Sequence, residues 1–92
     1  MVTIQVNESF VLSFDGSVIE VFYHGSTSSK RMHISHIDDI QLQTDRKGNH
    51  DLNIKNGVTG ISGLEVDENA FPKVNQFVAE VLKAKAEYRF SW

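Results

Sequence analysis

The stretch Asn69-Ala-Phe-Pro-Lys-Val-Asn-Gln-Phe-Val-Ala-Glu-Val-Leu-Lys-Ala-Lys-Ala-Glu87 decides how this chain is read. Phe71, Val74, Phe77, Val78, Val81 and Leu82 recur at spacings of three, four and seven, with Tyr88 extending the row, which is the pattern of a helix with one apolar face. Asp67 and Glu68 lie at its start and Lys83 and Lys85 near its end, as the helix dipole favours. With Asn69 as N-cap, Pro72 falls in the first turn, where its missing N–H costs nothing. Lys73, Asn75, Gln76, Glu80, Lys83 and Glu87 occupy the opposite face, expected to be merely solvated. Burying five of the apolar side chains at about 1.5–3 kcal/mol each rivals the whole net stability of a domain. Loss of this helix is expected to unfold the protein.

Everything before the helix reads as strand and turn, in roughly seven short runs. Val2, Ile4 and Val6 alternate with polar residues, and Phe10, Leu12 and Phe14 share one face of a second run. Asp15-Gly16 then predicts a tight two-residue hairpin turn into Val18 to Tyr23, which is apolar on both faces over most of its length. Gly25-Ser-Thr-Ser-Ser-Lys30 is the most loop-like stretch and is expected to be mobile. Met32, Ile34 and the segment Ile40 to Gln43 continue in short pieces, interrupted at His36-Ile-Asp-Asp39. Asp45-Arg-Lys-Gly-Asn49 is the next connection, and Leu52 and Ile54 alternate after it. Asn56-Gly57 marks another hairpin, with a partner strand from Val58 to Val66 carrying Ile61, Leu64 and Val66. Gly60 and Gly63 inside that strand predict a bulge or sharp bend.

This order resembles a pleckstrin-homology-like domain, in particular the small bacterial versions of that fold. The resemblance rests on element order, on the aromatic-rich hairpin Phe10 to Tyr23, and on Ile34 to Leu42, Leu52 to Val66 and the helix. It implies one domain over residues 1–92 and a mainly β fold with one C-terminal α-helix. In such a domain about seven antiparallel strands form two near-orthogonal sheets as a barrel, capped by the helix at about 69–87 with Phe77, Val78 and Val81 facing inward. Lipid-binding members carry several basic residues around the first hairpin loop, whereas here it reads Phe14-Asp-Gly-Ser17. The departure argues against phosphoinositide recognition.

Composition narrows the function. The chain has 92 residues and no cysteine, so a single small core without a disulfide or thiolate-metal staple must suffice. Its net charge of −3 offers no basic field of the kind that nucleic acid or an anionic membrane requires. Met1-Val-Thr-Ile-Gln-Val-Asn7 has neither a basic n-region nor an apolar signal-length run, and a cytoplasmic location is expected.

Motifs for chemistry are weak. His33 and His36, with Asp38 and Asp39, suggest a metal cluster, but their odd spacing on a strand points the imidazoles to opposite faces. His24 and His50 sit at element ends and are expected to face solvent. Serines at 26–29 form no nucleophile elbow, and Gly60-Ile-Ser-Gly63 lacks the flanking helices of an RNA-clamping Gly-x-x-Gly loop. Neither a catalytic residue, a cofactor nor a metal is expected.

The leading expectation is therefore a non-catalytic binding or interaction module that recognises a protein or peptide partner, or self-associates, through an exposed sheet edge beside the helix. The alternative is weak binding of an anionic headgroup or phosphate by Lys30, Arg31, Arg46 and Lys47, the two basic pairs beside loops. Phe90 and Trp92, in the aromatic tail at 88–92, are further candidates for partner contact because they fall beyond the expected helix.

Overall fold

The computed structural model describes residues 2–25, 29–57 and 59–90. Among the described residues seven strands are followed by one helix: β1 (Val2–Gln5), β2 (Phe10–Phe14), β3 (Val18–Tyr23), β4 (Ser29–His33), β5 (Asp39–Thr44), β6 (His50–Asn56), β7 (Thr59–Val66) and α1 (Phe71–Phe90). A single 3-10 turn, Ile34–His36, leads from β4 toward β5. The strands form two antiparallel meanders, β1-β2-β3-β4 and β5-β6-β7. Among the described residues no helix is long and apolar enough to cross a membrane.

Register explains the core. In the first sheet Ile4 stands opposite Leu12, Leu12 opposite Val21, and Ile19 between Phe14 and Met32. Alternation then puts all six on one face, and all are buried. In the second sheet Ile40 pairs with Ile54 and Ile54 with Ile61, while Leu52 stands between Leu42 and Leu64. Between the two faces lie Ala70, Val74, Phe77 and Val81 of the helix region, with the Phe77 ring edge-on to Phe14 at 5.9 Å.

Both short hairpins differ from expectation by one residue. Asp15 N–H donates to the Val18 carbonyl and Phe14 pairs with Ile19, so the first turn is centred on Gly16 and Ser17. Asp15 occupies the flanking position because its carboxylate accepts the N–H groups of Ser17 and Val18, at 2.9 and 2.8 Å. Asn56 pairs with Thr59, so Asn56 belongs to the strand and the second turn begins at Gly57. Residues 26–28, in the loop expected to be mobile, and Val58, expected to open β7, lie outside the described residues.

The helix begins two residues later and ends three residues later than the spacing implied. Val74 N–H donates to the Ala70 carbonyl, so the buried Ala70, rather than Asn69, stands at the N-cap position after a turn closed by Ala70 N–H to the Asp67 carbonyl. At the other end, Ala84 to Glu87 contain no glycine or proline to stop it. Tyr88 therefore lies on the helix, half-buried against the core and edge-on to His33 at 5.5 Å. Leu82, placed in the apolar row by its spacing, is instead 46% exposed.

The barrel is incomplete. The two sheets share no ladder among the described residues. A backbone bond from Asp67 N–H, after β7, to the Val6 carbonyl, after β1, joins them, while Asp38 N–H to the Lys55 carbonyl prolongs the β5–β6 pairing within the second sheet. The core is enclosed on one side by the helix and left open on the other.

Candidate functional site

The principal contacts of α1 are with β1, β5 and the 3-10 turn. Edge strands carry backbone N–H and C=O groups that invite pairing with another chain. At the helix side a smaller depression of 210 Å³ lies between Val2 and Ile4 of β1 and Phe77 and Glu80 of α1, and Lys85 Nζ donates to the Asp38 carbonyl next to β5 at 3.1 Å.

The other two edges, β4 and β7, face each other across a groove of 890 Å³. Phe10 and Val21 line its floor and Tyr23 its lip, its walls are Ser29 and Lys30 of β4 and Ile61 to Glu65 of β7, and its far end is formed by Asn7, Glu8, Ser9 and Asp67. Phe10 and Tyr23 pack edge to face at 5.3 Å because they are cross-strand partners at the open end of the first sheet. Tyr23 remains 52% exposed. A large aromatic left this wet at the lip of a groove is available to a ligand.

Two side chains bracket the β7 edge. Lys30 Nζ reaches from β4 to the Gly60 carbonyl at 2.6 Å, and Asn7 Nδ2 donates to the Glu65 carbonyl at 2.7 Å. Asn7 is itself fixed, since its Oδ1 accepts the N–H groups of Ser9 and Phe10. Between the brackets β7 carries a bulge, with Asn53 Oδ1 accepting the Gly63 N–H at 2.8 Å and the Ser62 hydroxyl at 3.4 Å. Bulges and charged side chains are devices that keep an edge from pairing indiscriminately. The stretch Ile61 to Leu64 is thus an edge open only within a defined slot.

The basic residues singled out by sequence do not converge. Lys30 lies in the groove, while Arg31, the next residue along β4, points from the opposite face, where its Nε is 3.8 Å from Glu20 Oε2. Arg46 and Lys47 sit on the β5–β6 loop, which Asp45 organises by accepting the N–H groups of Lys47 and Asn49. Asp45 is fully exposed, and these bonds, that from Asn49 foremost, hold its carboxyl below the ordinary value of 3.8. Since Thr44 pairs with His50 and His50 with Val66, that loop lies at the Val66 end of the second sheet. Lys30 touches Gly60, about 20 Å away at ~3.3 Å per residue. Of the aromatic candidates, Phe90 has its backbone in α1 but its side chain lies outside the described residues, as does Trp92.

His50, expected in solvent, is buried. Its Nδ1 meets Thr44 Oγ1 at 2.7 Å, its Nε2 meets Glu68 Oε2 at 3.1 Å, and its ring lies 4.0 Å from that of Phe71. It thereby ties β5 and β6 to the start of the helix. His33 and His36 come within 6.2 Å, with His33 Nδ1 engaged by Ser35. Among the described residues no three His, Cys, Asp or Glu side chains gather where they could hold a metal ion.

Phe10, Tyr23, Asn7 and the Ile61–Leu64 edge were not singled out by the sequence as site residues. Phe10 reads there as one more core position in an alternating run, and only the pairing of Phe10 with Tyr23 at the open end shows otherwise. No protein-family model, curated protein or solved structure matches the chain. The groove is interpreted from its own residues.

Proposed function

We propose that this chain is a non-catalytic interaction module of pleckstrin-homology-like type that takes an extended peptide segment of a protein partner in the β4–β7 groove. The single observation that carries the proposal is the placement of the open edges. The helix lies along β1 and β5, whereas β7 presents Ile61 to Leu64 to a groove with an aromatic floor. Strand addition supplies backbone hydrogen bonds to any sequence, and pockets for alternate side chains supply selectivity. Here those pockets are bordered by Phe10, Val21, Tyr23, Ile61 and Leu64.

The test is partner capture from a peptide display library by the full chain, followed by substitution at the lip and floor. Tyr23→Glu, at an exposed position, is expected to abolish capture while the circular-dichroism spectrum and melting point stay close to those of the parent, and Ile61→Glu to abolish it with the spectrum retained and the melting point lowered, since Ile61 packs partly against the core. A captured peptide indifferent to both substitutions would place recognition elsewhere. Salt-sensitive flotation with anionic vesicles, lost on Lys30→Glu with Arg31→Glu, would support the anionic-ligand alternative instead.

A further inference from the structure

Resting on the groove reading above, we infer that the segment it takes runs antiparallel to β7 and is charge-ordered: a basic residue first, alternating apolar residues in the middle, and an acidic residue last. The groove is polar along its length. At the start of β7 stands Lys30, whose ammonium, with three donor hydrogens, can hold the Gly60 carbonyl and still take a carboxylate. At the end of β7 stand Glu8, Glu65 and Asp67, and the cross-strand neighbour of Glu65 is Asp51. Lys73 shares the adjoining depression with Glu8 and Asp67 and offsets part of that charge, leaving the end acidic by count.

Both sheets are antiparallel throughout, and antiparallel pairing is slightly the more stable per residue. A segment added antiparallel to β7 begins beside Glu65 and ends beside Gly60. Its first side chain then faces the carboxylates and its last faces Lys30. From bracket to bracket the edge runs Gly60 to Glu65, about 16 Å at ~3.3 Å per residue, the span of a six-residue extended segment. Opposed residues share a face and side chains alternate, so the second position, opposite the buried Leu64, and the fourth fall toward the apolar lining with the last residue and Lys30, while the first stands on the exposed face with Glu65.

Three acetylated and amidated peptides test the ordering: Arg-Val-Thr-Val-Thr-Glu, its charge-exchanged twin Glu-Val-Thr-Val-Thr-Arg, and uncharged Gln-Val-Thr-Val-Thr-Gln. Amide shifts of the full chain map the site and titration gives the affinities. The Arg-first peptide is expected to bind about tenfold more tightly than its twin at low salt, the uncharged peptide falling between them, because rim charges are each worth little but here act at both ends. Glu65→Gln and Lys30→Gln should each reduce the ratio, and so should added salt. Equal binding of all three peptides at the groove, or preference for the Glu-first twin, overturns the charge ordering and leaves the groove reading standing. Failure of all three to shift groove amides, alongside library capture abolished by Ile61→Glu, also overturns the ordering alone. The same failure with capture indifferent to that substitution overturns both.

Discussion

At the scale of single residues, the most constrained position is Gly60, opposite Lys55 in the bulged β7. Its φ is +139°, and a Cβ there would collide with the Ile54 carbonyl oxygen, a backbone atom that cannot swing away. Gly63 has a φ of +69° but open space around it. Gly60→Ala is therefore expected to cost about 2–4 kcal/mol and Gly63→Ala about 1 kcal/mol, measured by chemical denaturation of both variants. Asp15 and Asp45 give a second prediction. Each carboxyl is held below its ordinary value by backbone N–H groups, those of Val18 then Ser17 for Asp15 and that of Asn49 foremost for Asp45. A depressed folded-state pKa contributes stability that is fully present above the unfolded value of 3.8 and is lost as pH falls through the folded value. Asp15→Asn with Asp45→Asn keeps an acceptor oxygen but removes the titration. The melting point of that variant should fall less steeply than the parent's as pH drops below about 4; parallel curves would refute the assignment. Both turn aspartates were legible in sequence as turn residues. The burial of His50 was not, because it depends on Thr44 arriving from β5 and on Glu68 and Phe71 arriving with the start of the helix.

At the scale of elements, the spacing of apolar residues located the helix correctly, and the structure shows which of them matter. Phe77 is 1% exposed and Leu82 46%, although both belong to the same row by count. Phe77→Ala is expected to destabilise by about 3–5 kcal/mol, whereas Leu82→Gln should stay within about 0.5 kcal/mol of the parent, both measured by thermal and denaturant unfolding. A row read along the chain is wider than the stripe that meets the sheets, because two sheets present a limited surface to the helix. The hairpins illustrate the same limit. Asp-Gly and Asn-Gly correctly announced two turns, yet in both the polar residue flanks the turn and the glycine opens it. One residue is decisive in a strand, since it exchanges the buried and exposed faces. The alternating core residues Leu12, Phe14, Ile19 and Val21 fix the register that the dipeptide alone leaves open.

At the scale of the whole molecule, the helix and the groove are two sides of one arrangement: the helix packs along β1 and β5, and the larger opening lies between β4 and β7. If that opening binds an extended segment, amide exchange in β7 from residue 61 to 65 should slow by about tenfold or more at saturation, while β5 amides are unchanged. Exchange mass spectrometry with and without a captured peptide measures this, and protection along β5 instead would contradict the placement. The sequence by itself determined the class of fold, a run of short antiparallel strands closed by one amphipathic helix, because periodicities of two and near 3.6 are local consequences of backbone geometry. It also marked Lys30 as a basic residue beside a loop. Only the tertiary structure decided that Lys30 crosses to Gly60 while Arg46 and Lys47 lie at the far end of the second sheet. It likewise decided which edges the helix packs along and that Tyr23 stands at the mouth of a groove. Those facts depend on how two separate sheets and a helix meet, contacts between residues far apart in the chain that no local spacing encodes.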